Sequence, residues 1–198
     1  ETLSLWDIAD ASARYYAVSE HAEITAADDD VSVHMLAFQY DPTNVRIREM
    51  FASTRAARLR RSQRMVALIA QDYPIAWEDV LAQTREGERT TVGRPHIADA
   101  LVAAGVYRNR SEAFSGAVSS TAKYYLPTPS PTTHEVVAAV KDAGGVIVIA
   151  HAGDPQRNRN LLSDRQIGRL IDEGLDGLEV WHRGNPPEQR ERLLGIAA

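Results

Sequence analysis

Apolar positions follow two different rhythms along this chain. Near the C-terminal end the unbroken run Val146-Ile147-Val148-Ile149-Ala150 stops on His151-Ala152-Gly153-Asp154, and one unit later Leu178-Glu179-Val180-Trp181-His182 repeats the pattern. A continuous β-branched run reads as a strand buried on both faces, which predicts parallel strands at 146–150 and 177–182. Thr132 or Thr133 is the predicted N-cap of a helix to about Ala143, with Gly144-Gly145 as its stop. A second helix, from about Asp164 to Glu173 with Gly174 behind it, makes the two strands a right-handed βαβ crossover. At the other end, residues 22–25 and 31–40 predict two strands around the acidic turn Asp28-Asp29-Asp30, with a helix over 3–17 before them and Asp41-Pro42 closing the section. Between about Asn44 and Ser130 the period is helical, broken at Gln71-Asp72-Tyr73-Pro74 and Arg85-Glu86-Gly87-Glu88, and Pro127-Thr128-Pro129-Ser130-Pro131 returns the chain to the α/β part. The expected organisation is an α/β body formed by residues 1–43 and 132–198, with a mostly helical insertion at 44–131.

Composition narrows the chemistry. With 198 residues, 44% of them apolar, and a net charge of −5, the chain can bury a sizeable core. It has no cysteine, which excludes disulfide scaffolds, thiolate zinc sites and cysteine nucleophiles. No apolar stretch approaches the ~18 residues of a membrane helix, and the default expectation is a cytoplasmic protein.

Ligands and chemistry sit beyond the carboxyl ends of strands in parallel α/β sheets and barrels, and that is the position of His151. Two further polar residues fall in strands. If residues 22–26 and 31–38 pair through an even, symmetric loop, positions whose numbers sum to 57 face each other, so Glu23 lies opposite His34 with Cβ atoms about 5 Å apart. His34 also interrupts an apolar strand, where a polar side chain needs a partner. Each histidine alone is equally compatible with a buried imidazole bonded to backbone. Taken together, Glu23, His34 and His151 form a thiolate-free set suited to zinc, manganese or iron.

The helical region carries a second anomaly. On a helical wheel from Val45 to Ala70, residues Ile47, Met50, Phe51, Met65, Leu68 and Ile69 define an apolar face, and Arg58 and Arg61 fall in its middle. Buried guanidinium groups need carboxylates or phosphate oxygens, unless their stems carry them to water. Residues 44–66 hold seven arginines against Glu49, a local charge of +6 that attracts anions. Further on, Gly93-Arg94-Pro95-His96 opens a helix, with Arg94 and His96 at its N-terminus, a natural anion site. A capped surface helix needs Gly-Arg-Pro there but not the histidine.

Five segments in order, Glu23-Ile24-Thr25-Ala26, Val33-His34-Met35-Leu36, Gly93-Arg94-Pro95-His96-Ile97-Ala98, residues 143–151 and residues 174–182, strongly resemble the polymerase-and-histidinol-phosphatase (PHP) family, in its branch of bacterial metal-dependent phosphoesterases with a helical insertion. The resemblance implies an α/β fold, part of a distorted (β/α)7 barrel. It implies two or three divalent ions, Mn2+, Zn2+ or Fe2+, in the complete enzyme, and nucleoside 3′,5′-bisphosphates or the 5′ ends of short RNA as substrates. Glu23 matches the family's metal-bridging glutamate, and His34 and His151 match histidine ligands. Arg94, His96, Arg58 and Arg61 match phosphate contacts of the insertion. Glu179 and His182 match a strand-end pair, the first supporting and the second contacting substrate. The implied reaction is phosphate-ester hydrolysis by hydroxide made available by the metals, with arginines offsetting charge on the phosphoryl oxygens.

The sequence also departs from the family. The His-x-His, Thr-Asp-His-Asp and Ser-Asp-x-His-Gly segments are absent, His21 stands where a glycine usually precedes the bridging glutamate by two residues, and Ala152 replaces a proline. The expectation is an internal piece of a longer enzyme, with a partial metal site and open sheet edges that aggregate or pair. The alternative is an arginine-rich nucleic-acid-binding or noncatalytic module, whose affinity falls steeply with salt and ignores chelators.

Overall fold

The computed structural model describes residues 21–84, 92–157 and 160–198. The helix expected over 3–17 and the break at Arg85–Glu88 lie outside the described residues.

Strands β1 (His21–Asp28) and β2 (Val31–Phe38) form an antiparallel hairpin. Alternation sorts their side chains: Ile24, Ala26, Val33, Met35 and Ala37 are buried, while Glu23, Thr25 and His34 occupy the other face. The register differs from the one expected. Thr25 pairs with His34 and Glu23 with Leu36, because Asp28 and Val31 already pair and only Asp29-Asp30 turn the chain. Asp29 takes a positive φ of 52°, which aspartate tolerates better than most residues. The tighter turn shifts the pairing by two residues. An even shift preserves the face of every side chain, so Glu23 becomes the diagonal neighbour of His34.

Helix α1 (Val45–Ile69) is followed by α2 (Trp77–Leu81), α3 (Arg94–Ala103) and α4 (Arg110–Ser115). The chain divides into two compact units, Phe51–Pro129 forming one and Ser130–Ala198 joining the residues up to Met50 in the other. The helical unit has its own core, built around Met65, Ile69, Ile75, Val80, Ile97 and Leu101. Among the described residues it contains no strand.

In the α/β unit, α5 (Thr133–Asp142) begins in a reciprocal cap. Thr132 accepts from the Glu135 N–H while the Glu135 carboxylate accepts from the Thr132 N–H at 2.7 Å. It ends at Gly144, whose φ is 71°. Strand β3 (Val146–Ile149) then pairs antiparallel with β2 and parallel with β4 (Gly177–Leu178) across α6 (Asp164–Asp172), giving a four-stranded mixed sheet of order β1-β2-β3-β4. Val136, Val137 and Val140 of α5, with Ile167 and Leu170 of α6, are buried together with Met35, Ile147 and Ile149 of the sheet.

Strand β4 is shorter than the expected 177–182, and the cause is local. Glu179 still donates its N–H to the Ile149 carbonyl, but the carbonyls of Glu179 and Val180 both accept from the Asn185 side-chain amide. That side chain replaces the next strand step and lets the chain turn out of the sheet. Helix α7 (Pro187–Ala197) follows and buries Leu193. No helix among the described residues is long and apolar enough to cross a membrane.

Candidate metal centre

Strands β1 and β2 and the turn after β3 bring Glu23, His34 and His151 together. His34 Nδ1 lies 2.7 Å from Glu23 Oε1 and 3.2 Å from His151 Nε2. One donor atom from each of the three residues lies within 4.8 Å of the other two. At that distance one ring can donate to the other, and the same spacing suits a shared cation, since ligand atoms around tetrahedral zinc stand about 3.3 Å apart. His151 is 4% exposed, its Nδ1 has no hydrogen-bond partner among the described residues, and burial pushes its pKa below the ordinary 6.5, with repulsion from His34 and Arg157 adding to the effect. A neutral imidazole is the form that binds metal. The donor set, one carboxylate and two imidazoles with an orphaned buried nitrogen, therefore fits a divalent cation.

His151 owes its position to a strained turn. Its φ is 35°, a conformation that costs a non-glycine residue about 1–3 kcal/mol and persists only when the surroundings impose it. Three contacts impose it here. The His151 N–H donates to Glu179 Oε2 at 2.6 Å, the Asp154 N–H donates to the His151 carbonyl at 3.0 Å, and the Gly153 N–H donates to Asn185 Oδ1 at 3.2 Å. Gly153 is packed so tightly under α7 that a Cβ there would sit 2.7 Å from that of Gln189.

His182 stands beside this turn, its ring centroid 5.6 Å from that of His151. Its Nδ1 accepts from the Gly184 N–H at 3.1 Å, so neutral His182 carries its proton on Nε2, free to donate. The nearest carboxylate oxygen, Oδ2 of the buried Asp154, is 3.8 Å from Nδ1. Asp154, Gly184 and Asn185 were not among the residues singled out from the sequence. The buried acid three places after His151 was their only signal.

The four remaining residues sit in the helical unit. Arg61 donates from Nε to the Leu126 carbonyl at 2.5 Å and stacks over Tyr125 at 5.2 Å. Arg94 donates to the Val118 carbonyl at 3.2 Å and lies over Phe114 and Tyr125. Half-buried Arg58 lies close enough to repel Arg61. Burial lowers the Arg61 pKa, Arg94 and Arg58 lower it further, and Tyr125 opposes them. Among the described residues no carboxylate pairs with Arg61 or Arg94. For Arg61 the anomaly on the apolar face thus resolves into cation–π stacking and a carbonyl acceptor. His96 is buried, and its Nδ1 accepts from the Gly93 N–H at 3.2 Å. The histidine is itself part of the α3 cap, contrary to the expectation that a cap has no use for it.

No protein-family model matches the sequence, and no curated protein matches it. Among solved structures, the chain is 70% identical to a provisionally assigned metal-dependent phosphoesterase from Bifidobacterium adolescentis, covering 97% of this chain and 68% of that one with a TM-score of 0.79. An amidohydrolase from Chromobacterium violaceum, solved with sulfate and no metal, superposes with a TM-score of 0.69 at 22% identity, over 97% of this chain and 68% of its own, and speaks to the fold alone. Both are named as enzymes. With the donor triad and 70% identity over two thirds of the first, this chain belongs to the metal-dependent phosphoesterase family that the Bifidobacterium protein represents.

Proposed function

We propose that the parent enzyme hydrolyses a phosphate ester of a nucleotide, a nucleoside 3′,5′-bisphosphate or the 5′ end of a short RNA, and that its sheet is part of a (β/α)7 barrel of the PHP type with residues 44–131 inserted. The convergence of Glu23, His34 and His151 on one point carries this reading. Two or three divalent ions, Mn2+, Zn2+ or Fe2+, are proposed for the complete enzyme, with these residues among their ligands. When bound, such an ion acts as a Lewis acid that makes water nucleophilic near neutral pH and offsets phosphoryl charge.

The protein's own groups do the rest. Glu179 holds the His151 backbone, and with it the imidazole. His182, its proton fixed on Nε2 by the Gly184 N–H, is a hydrogen-bond donor for a substrate oxygen. Arg58, Arg61, Arg94 and His96 are proposed to bind substrate phosphate. Stacking and carbonyl acceptors hold the Arg61 and Arg94 guanidinium groups in place without neutralising them.

The test is phosphate release from a nucleoside 3′,5′-bisphosphate, and nucleotide release from a 5′-phosphorylated RNA oligomer, with Mn2+ present. Activity abolished by chelator and by His151→Ala is expected with one of the two substrates. Hydrolysis that survives both treatments overturns the assignment.

A further inference from the structure

We propose that Tyr125, which nothing in the sequence pattern singled out, is the positioning residue of the helical unit: its ring gathers Arg61 and Arg94 into a two-guanidinium clamp for an oxyanion and leaves both of them charged. The role rests on the reading that these arginines bind substrate phosphate. Arg61 comes from the interior of α1 and Arg94 from the first turn of α3. The centroid of the one ring lies 5.2 Å from the first guanidinium carbon and 5.6 Å from the second, within the roughly 6 Å over which an aromatic face attracts a cation.

The chemistry of the contact separates a clamp from ordinary packing. Two guanidinium groups drawn to one ring repel each other, and a half-buried charge is costly without a counter-charge. A fold serving stability alone would set a carboxylate between them. Among the described residues neither has one. Each has aromatic neighbours and a single carbonyl instead, that of Leu126 for Arg61 Nε at 2.5 Å and that of Val118 for Arg94 Nη1 at 3.2 Å. A carbonyl takes up one of several N–H donors on each side chain and cancels no charge. An anion with several acceptor oxygens completes such a pair, since each guanidinium grips oxygens in a fork.

Tyr125 suits this role because its backbone is fixed on both sides. Its N–H donates to the Ala122 carbonyl at 2.9 Å, and the Leu126 carbonyl after it is the one that Arg61 reaches. Just before it, the Tyr124 hydroxyl donates to Asp72 Oδ2 at 2.7 Å, and Lys123 Nζ pairs with the same oxygen at 2.9 Å. Tyr124 is itself buried in the core of the helical unit. Residues 122–126 are thus tied to the turn after α1, and a ring carried on them is a rigid platform for the flexible arginine side chains.

Titration of inorganic phosphate into the full chain in EDTA, followed at the side-chain Nε–H resonances of Arg61 and Arg94, tests the role with neither metal nor turnover. Saturable shifts are expected at both in the wild type, from starting positions that the ring current moves upfield. Tyr125→Leu should lose that displacement and weaken phosphate binding about tenfold or more, while Tyr125→Phe, which keeps the ring, should hold the affinity within about threefold. Tyr125→Glu should lose phosphate binding as well, yet keep or raise the urea midpoint, because a carboxylate pairs with both cations and neutralises them. A residue that serves packing alone would lose binding only together with stability. Phosphate affinity unchanged in Tyr125→Leu, or retained in Tyr125→Glu, overturns the role of Tyr125 and leaves that of the arginines standing. Absence of saturable shifts in the wild type overturns both.

Discussion

Asn185 is the residue whose removal most directly tests how the His151 turn is held. Its side chain is 1% exposed and makes three hydrogen bonds, from Nδ2 to the carbonyls of Glu179 at 2.9 Å and Val180 at 3.0 Å, and to Oδ1 from the Gly153 N–H at 3.2 Å. Each such bond contributes about 0.5–1.5 kcal/mol net, and each buried group left without a partner costs about 1–3 kcal/mol. Asn185→Ala orphans two carbonyls and one N–H. Allowing for water reaching one of them, the expected loss is about 2–4 kcal/mol. Urea unfolding of the metal-free chain measures it as a fall in midpoint at constant slope. Hydrogen exchange at the Gly153 amide localises it, since that proton loses its acceptor. A loss under about 1 kcal/mol, with Gly153 protection unchanged, would refute the view that this side chain holds the turn.

Four other outcomes are expected. Glu179→Gln weakens the grip on the His151 N–H, and loss of a group that orients a ligand typically costs about 10–100-fold in metal affinity; competition against a chelating dye reads the change. Because the folded pKa of His151 lies below the ordinary 6.5, the unfolded chain takes up the proton first as pH falls, so stability drops from about that value down to the folded pKa and no further. Thermal unfolding in EDTA should show that decline between neutral and mildly acidic pH, and His151→Gln should flatten it. Gly184→Ala should destabilise the α/β unit through its clash with Asp154, and adding Asp154→Ala should recover part of the loss in urea unfolding, a non-additivity that independent sites do not show. Lastly, Thr132→Ala removes the α5 cap and should cost about 0.5–2 kcal/mol in the same assay.

Particular residues show which parts of this were legible in the sequence. The β-branched run at 146–149 announced its strand, and the chain's exit from it placed His151 where ligands gather; the expected burial on both faces is not met, since Ile147 and Ile149 are buried while Val146 is exposed and Val148 half-buried. Hairpin register was less legible. The acidic stretch Asp28-Asp29-Asp30 is compatible with turns of two or four residues, and only packing chooses; Glu23 still met His34 because both alternatives share parity. The truncation of β4 left no periodic trace, since it follows from one Asn185 side chain standing in for backbone. Arg61 was visible as a charge on an apolar face, but Tyr125 and the Leu126 carbonyl, its partners more than sixty residues away, were not.

The pairing of β2 with β3 has a consequence for assembly. His34 and His151 are 117 residues apart in sequence, and the whole helical unit is threaded between them. Closing so long a loop carries an entropic penalty that the short β2–β3 ladder meets together with the bridge between Ala27 and Thr132 and the bonds of Asn44 to Asp142. A cation gripped by His34 and His151 would rivet that closure, binding the folded chain and not the unfolded one, and so raising the melting temperature with its concentration. Heat resistance should therefore report metal loading in the absence of any substrate, and the centre should be among the last features to form as the chain folds.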